Sequence, residues 1–300
     1  MRFAAIDIGS NAVRMLFCDV YPYQNDYVIK KTSLVRLPIR LGEDVFIHKV
    51  ISDTNIRKLA EAATAFKNLV QVYDAVDFRV CATSAMREAE NGQEVIKVIK
   101  QHAGIQVDII DGETEAELLY QTHVAEKIDK DGTFLYMDVG GGSSEFTLFC
   151  KNEKVKSKSF RIGTIRLKND LVQEETWNDM KKWLKKIREE YRPTMIIATG
   201  GNINKLYKLC GLKDYKPFEY EELKQMNKFI EKYSVEERVE KLGLKPDRAD
   251  VITHAAKIYL TAMKSVDVKE LFVPKVGLAD GIIYELYQKH VLESIQKEIL

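Results

Sequence analysis

The chain has 300 residues, 45% hydrophobic and 30% charged, enough apolar mass for a sizeable core and more than one core holds comfortably, so two domains are expected. Its 46 Lys and Arg against 45 Asp and Glu leave a formal charge of +1, so no overall field recruits DNA or an anionic membrane, and an anionic ligand has to be caught locally. No apolar run approaches the roughly 18 residues of a membrane span, and Cys18, Cys81, Cys150 and Cys210 lie singly, without zinc-site or redox spacing, so a cytoplasmic protein with buried, reduced thiols is expected.

Phe3–Ile8 reads as a buried strand stopping at Asp7-Ile8-Gly9-Ser10, and Ala12–Val20 as a second strand, so a β-hairpin opens the chain. Ser52–Tyr73 carries Ile56, Leu59, Ala60, Ala63, Phe66 and Val70 at the spacing of an amphipathic helix. Phe78–Ala82 and Val107–Ile110 read as strands, alternating with helices over Gln93–His102 and Glu113–His123, the habit of a layered α/β domain. The polar stretch Glu126–Gly132 is the expected boundary, dividing the chain into 1–124 and 125–300.

Beyond it the opening pattern returns. Thr133–Val139 is an apolar strand ending in Asp138-Val139-Gly140-Gly141-Gly142-Ser143, followed by a strand over Glu145–Cys150. Two hairpins with the same acid-apolar-glycine turn predict a duplicated architecture. A helix over Thr176–Tyr191, a strand over Met195–Ala198, a Gly200-Gly201 turn and helices over Tyr220–Tyr233 and Ala249–Met263 follow. A strand over Glu270–Val273, a turn at Gly277 and a helix from Gly281 close the chain.

A carboxylate at the end of a buried strand is held rigidly, and glycines after it let backbone N–H groups approach phosphate oxygens with no Cβ in the way. Asp7 and Asp138 are therefore candidates to flank a phosphate-bound Mg²⁺, an ion that takes few carboxylates directly and keeps its waters. One such turn is more often structural than functional; two copies, one of them with three glycines, favour function. A third cradle is expected where Ile196–Thr199 turns through Gly200 and Gly201 into a helix, since a helix N-terminus presents free N–H groups. Walker A, Rossmann and His-Glu-x-x-His patterns are missing.

Six blocks occur in order along the chain: Asp7-Ile8-Gly9-Ser10-Asn11, Ala82-Thr83-Ser84-Ala85-Met86-Arg87, Asp111-Gly112-Glu113-Thr114-Glu115-Ala116, Asp138-Val139-Gly140-Gly141-Gly142-Ser143-Ser144-Glu145, Arg161-Ile162-Gly163-Thr164 and Gly277-Leu278-Ala279-Asp280-Gly281. In these the sequence resembles the exopolyphosphatase/guanosine pentaphosphate phosphohydrolase (Ppx/GppA) family over nearly its whole length. The resemblance implies an α/β fold of two actin-like (ribonuclease H-like, ASKHA) domains facing across a cleft. It implies release of terminal phosphate from polyphosphate or pppGpp, with Mg²⁺ or Mn²⁺ as cofactor. By the same resemblance Glu115 is the base that activates water and Arg87 contacts phosphate. Ser10, Asn11, Gly141, Gly142 and Ser143 match phosphate-loop positions, Glu145 an acidic position near the metal, and Asp138 is first choice for the ion.

The sequence departs from the family pattern at Thr114, where a glutamate is common, at Ala279, where an arginine is frequent, and at His254, where a proline is usual. It looks like a short form without the His-Asp helical domain of longer relatives. A small-metabolite kinase of the same superfold remains an alternative, although no acceptor-activating Asp or adenosine pocket is found, and so does a non-catalytic nucleotide or polyphosphate sensor. A homodimer stays open. Lys181, Lys182, Lys185, Lys186 and Arg188 form a cationic helix face, read first as merely solvated and alternatively as a guide for polyphosphate.

Overall fold

The computed structural model describes residues 1–23, 26–122, 132–151, 153–213 and 216–299. In chain order the elements are β1 (Arg2–Ile8), β2 (Val13–Tyr23), β3 (Asp26–Leu37), α1 (Leu41–His48), α2 (Asp53–Val72), β4 (Asp77–Ala82), α3 (Ser84–Glu88), α4 (Gly92–Ala103), β5 (Asp108–Ile109) and α5 (Gly112–Tyr120). Then come β6 (Thr133–Val139), β7 (Ser144–Cys150), β8 (Glu153–Phe160), α6 (Thr164–Lys168), α7 (Glu174–Tyr191), β9 (Met195–Thr199), α8 (Gly201–Leu209) and β10 (Phe218–Glu219). The last are α9 (Tyr220–Glu231), α10 (Val235–Glu240), α11 (Pro246–Ala249), α12 (Ile252–Val266), β11 (Glu270–Phe272) and α13 (Leu278–Ile299). Among the described residues, no helix is long and apolar enough to cross a membrane.

Two compact units result, Met1–Thr122 with Gly277–Leu300, and His123–Val276. The expected division placed the closing helix with the second half. Instead α13 packs on β1 and α5, with Leu278, Ile282, Ile283 and Tyr287 completing a core that includes Phe3, Ala5 and Leu16. Most of the expected boundary, Glu126–Gly132, lies outside the described residues.

The first unit's sheet runs β3-β2-β1-β4-β5, with β1 to β3 antiparallel and β4 and β5 parallel to β1. The strand period of two sends Phe3 and Ala5 toward α13 and Ile6 and Ile8 toward Leu59 and Phe66 of α2, so β1 is covered on both faces and apolar almost throughout. Ser52 caps α2, its hydroxyl accepting from the Asn55 N–H. The second unit repeats the plan: β8-β7-β6 antiparallel, then β9 and β11 parallel to β6, with β10 added antiparallel at the edge.

Sequence reasoning missed β3 and β8. Both flank β2 or β7 on one side only and carry exposed lysines, Lys30 and Lys31 in β3 and Lys158 in β8, which deter edge-to-edge pairing and hide the strands from a hydrophobicity reading. The four thiols are free, as expected, but only Cys18 and Cys81 are buried, Cys150 and Cys210 being half-buried. Burial pushes the Cys18 and Cys81 thiols up to about 12 and that of Cys210 to about 11, so these three stay protonated and unreactive at neutral pH.

Candidate active site

In an open parallel sheet, ligand-binding groups gather beyond the carboxyl ends of the strands. In the first unit, β1, β4 and β5 are neighbours running the same way. The segments leaving their carboxyl ends are the Gly9–Ala12 turn, the Thr83–Arg87 segment and the start of α5, which carry Ser10, Asn11, Arg87 and Glu115. Ser10 and Ser84 share a buried hydroxyl hydrogen bond of 2.8 Å, and the Gly42 N–H donates to the Ser10 carbonyl, which ties the turn to α3 and α1. Arg87 Nη1 donates to the Ile110 carbonyl at 2.6 Å, at the root of α5. Asp111 caps that helix by accepting from the Thr114 N–H at 2.8 Å. These bonds from Thr114, aided by the Arg87 charge, hold the Asp111 carboxyl below its usual range. Glu115 sits in the helix's first turn and is only 8% exposed, unlike the solvated dipole partner that such a position normally holds.

The placement of α5 depends on a glycine. A Cβ at Gly281 would lie 1.9 Å from the Leu118 carbonyl oxygen, so only glycine lets α13 approach the helix bearing Glu115 this closely. Gly281→Ala is expected to lower stability by about 1–3 kcal/mol and to reduce kcat as well. Thermal melting with steady-state assay checks both, and a variant with wild-type Tm and kcat would show that this contact does not matter.

The two hairpin turns share one geometry but differ in charge, the first neutral and the second acidic. Four-residue loops join Ile8 to Val13 and Val139 to Ser144, closed by Gly9 N–H donating to the Ala12 carbonyl and Gly140 N–H to the Ser143 carbonyl. That register sets Asp7 opposite Arg14 and Asp138 opposite Glu145. Asp7, 4% exposed, accepts from Arg14 Nη1 at 2.7 Å. Burial pushes its carboxyl up, and the guanidinium only partly offsets this. The Asp138 and Glu145 carboxylates lie within 4.8 Å of each other, a like-charge cross-strand pair that is unfavourable by itself.

Hydroxyls hold that pair in place. Thr199 Oγ1 donates to Asp138 Oδ1, while Ser143 and Ser159 donate to Glu145 Oε1 at 2.5 and 3.0 Å. Thr199 is fixed in turn by Tyr259, whose hydroxyl donates to the Thr199 carbonyl at 2.5 Å. Full burial raises the Tyr259 phenol well above its usual value, so it stays a donor. Two carboxylates ringed by hydroxyls form an all-oxygen donor set, which suits a hard divalent cation.

The glycine loop beside this pair is held from behind. The Gly140 carbonyl accepts from the Thr164 N–H, the Gly141 carbonyl from the Ile165 and Arg166 N–H groups, and the Gly142 carbonyl from Arg166 Nε at 2.7 Å. In a trans peptide the C=O and the following N–H point opposite ways. With three consecutive carbonyls turned to α6, the N–H groups of Gly141, Gly142 and Ser143 are aimed away from it as a cradle for an anion. Arg166, 4% exposed, is the residue that sequence reasoning missed. It lies two positions past the Arg161–Thr164 block, and the available signal was a cation set between Ile165 and Leu167.

Gly200 and Gly201 follow β9 into α8 as expected, and Gly200 has φ +117°, open to glycine alone. Its would-be Cβ falls 3.2 Å from the Val139 carbonyl and 3.3 Å from the Tyr259 hydroxyl, so the turn closes against the end of β6.

The sequence model of the Ppx/GppA phosphatase family matches residues 28–290. Exopolyphosphatase 1 of Mycobacterium bovis is 23% identical over 94% of this chain and 87% of its own length. Guanosine-5'-triphosphate,3'-diphosphate pyrophosphatase of Vibrio cholerae is 23% identical over 98% of this chain and 61% of its own length. Among solved structures, an exopolyphosphatase from Cytophaga hutchinsonii superposes with a TM-score of 0.83 at 24% identity, covering 96% of this chain and 98% of that one. The Aquifex aeolicus Ppx/GppA family member gives 0.76 at 23% identity, covering 97% and 98%.

Proposed function

The chain belongs to the Ppx/GppA phosphatase family, with its actin-like α/β fold, and on that footing we propose that it is a cytoplasmic phosphohydrolase that releases terminal orthophosphate from inorganic polyphosphate or pppGpp by attack of water. The observation that carries this reading is the Gly140–Ser143 loop, with three N–H groups aimed outward between Asp138 at the end of one strand and Glu145 in the next.

Asp138 and Glu145 would hold Mg²⁺ or Mn²⁺, and Asp7, already neutralised by Arg14, is left out of the metal set. The ion, when bound, neutralises charge that develops on the transferred phosphoryl oxygens. The N–H groups of Gly141, Gly142 and Ser143 hold the phosphate to be released. Ser10, Asn11, Gly200 and Gly201 bind neighbouring phosphates, and the Arg87 guanidinium grips two phosphate oxygens at once. Glu115 takes the proton from the attacking water.

Chelation by EDTA is expected to abolish phosphate release, and added Mg²⁺ to restore it. Full activity in metal-free buffer would remove the metal from the reaction. Phosphate release from long polyphosphate, tripolyphosphate and pppGpp, each with and without Mg²⁺, tests the substrate assignment; binding without turnover of all three would mark a sensor instead.

A further inference from the structure

The second unit carries a groove of about 1010 Å³ on the outer side of α12, walled by α7 and α9. Tyr259, which reaches the end of β9, lies on the opposite side of α12, so the groove is separate from the glycine loop. Five lysines line it, Lys181, Lys182 and Lys185 from α7 and Lys257 and Lys264 from α12, against one carboxylate, Glu231. In a chain whose charges otherwise balance, this is a local concentration of positive charge.

The cationic helix face expected from the sequence divides here. Lys186 pairs with Glu190 and Arg188 with Asp267, which leaves both outside the groove. Lys181, Lys182, Lys185 and Lys264 have no ion-pair partner among the described residues, while Lys257 lies 5.6 Å from the Trp177 ring centroid and so links α12 to α7. Burial, and next the Lys257 charge, push the His254 imidazole in the groove below its ordinary value.

The groove's shape and chemistry select its ligand. Lys181 and Lys185 are spaced roughly 6 Å apart along one wall and Lys257 and Lys264 roughly 10 Å along the other, which suits an extended polyanion lying parallel to the helices. Ammonium groups are point charges that accept phosphate in many orientations and do not demand a planar partner. Thr253 adds a hydroxyl among them, while the Thr261 and Ser265 hydroxyls donate back to the Lys257 and Thr261 carbonyls of α12. A single-stranded nucleic acid would call for a series of stacking rings, and among the described residues the lining offers Tyr220 and the His254 imidazole alone.

We propose that this groove binds an internal stretch of an inorganic polyphosphate chain, giving long polymers an affinity that short phosphoanhydrides lack. The proposal rests on the reading of the protein as a phosphoanhydride hydrolase, but its test does not require turnover. Calorimetric binding of long-chain polyphosphate and of tripolyphosphate is compared between the full-length protein and a variant with Lys181, Lys182, Lys185 and Lys264 replaced by Gln. The expected result is a loss of about tenfold or more for the long chain and a change within about twofold for tripolyphosphate, with raised salt reproducing the loss. The same four positions as Arg should keep long-chain affinity, which separates lost charge from misfolding. Equal long-chain affinity in wild type and Gln variant overturns the proposal, as does an equal loss for both ligands or tighter lysine-dependent binding of single-stranded RNA. A wild-type protein that binds long polyphosphate through these lysines yet releases no phosphate would instead overturn the hydrolase reading alone.

Discussion

Glu115→Gln is expected to lower kcat about a hundredfold or more while leaving the fold and KM nearly unchanged, the range for loss of a positioned base. The replacement is isosteric, so the buried position next to the Asp111 cap stays filled and α5 keeps its N-terminal hydrogen bond from Thr114. What is lost is the ability to accept a proton. The magnitude corresponds to about 2.7 kcal/mol in the barrier, at 1.36 kcal/mol per tenfold. An uncharged side chain also relieves any repulsion between Glu115 and a polyanion, so binding should hold or tighten. Phosphate-release kinetics with a thermal melt decide the matter: wild-type kcat in a folded variant would take Glu115 out of the reaction, and a collapse of both Tm and kcat would mark it as structural.

Much of this site is legible in the sequence because its chemistry is local. A carboxylate, one apolar residue and glycines at a strand end specify a rigid turn, and both hairpins form where that pattern occurs. The partner of each carboxylate is less visible, since it depends on register. A four-residue loop sets position i opposite i+7, and at that offset Asp7 finds Arg14 while Asp138 finds Glu145. The same local motif is thereby made neutral in one unit and doubly acidic in the other. Longer-range features leave weaker traces. Nothing local in Leu278–Ile299 says that this helix returns to β1, although Gly281 fits no other role once α5 is seen against it. The lysines of the α12 wall and those of α7 are far apart in sequence, so each reads as a solvated face until the fold sets them on one groove.

The second large effect is expected at Gly163, whose φ is ordinary and whose importance is steric. A Cβ there would lie 2.3 Å from the Gly141 carbonyl oxygen and 2.4 Å from the Gly142 carbonyl carbon. Both are backbone atoms, so no side-chain rotation relieves the contact and either the loop or α6 must move. Movement breaks the bonds that orient the cradle, since the N–H groups of Thr164 and Ile165 and Arg166 Nε all donate to Gly140–Gly142 carbonyls. Gly163→Ala should therefore cost about 1–3 kcal/mol of stability, a fall in Tm of several degrees for a chain of this size. Below that Tm the folded variant should still lose at least about tenfold in kcat/KM, because displacement of the donors by a fraction of an ångström weakens charge stabilisation that depends on fixed geometry. The same methyl added at Gly277 meets nothing within 4 Å and serves as the control. If Gly163→Ala lowers Tm yet leaves kcat/KM intact, the Gly141–Ser143 N–H groups do not hold the phosphate that is released.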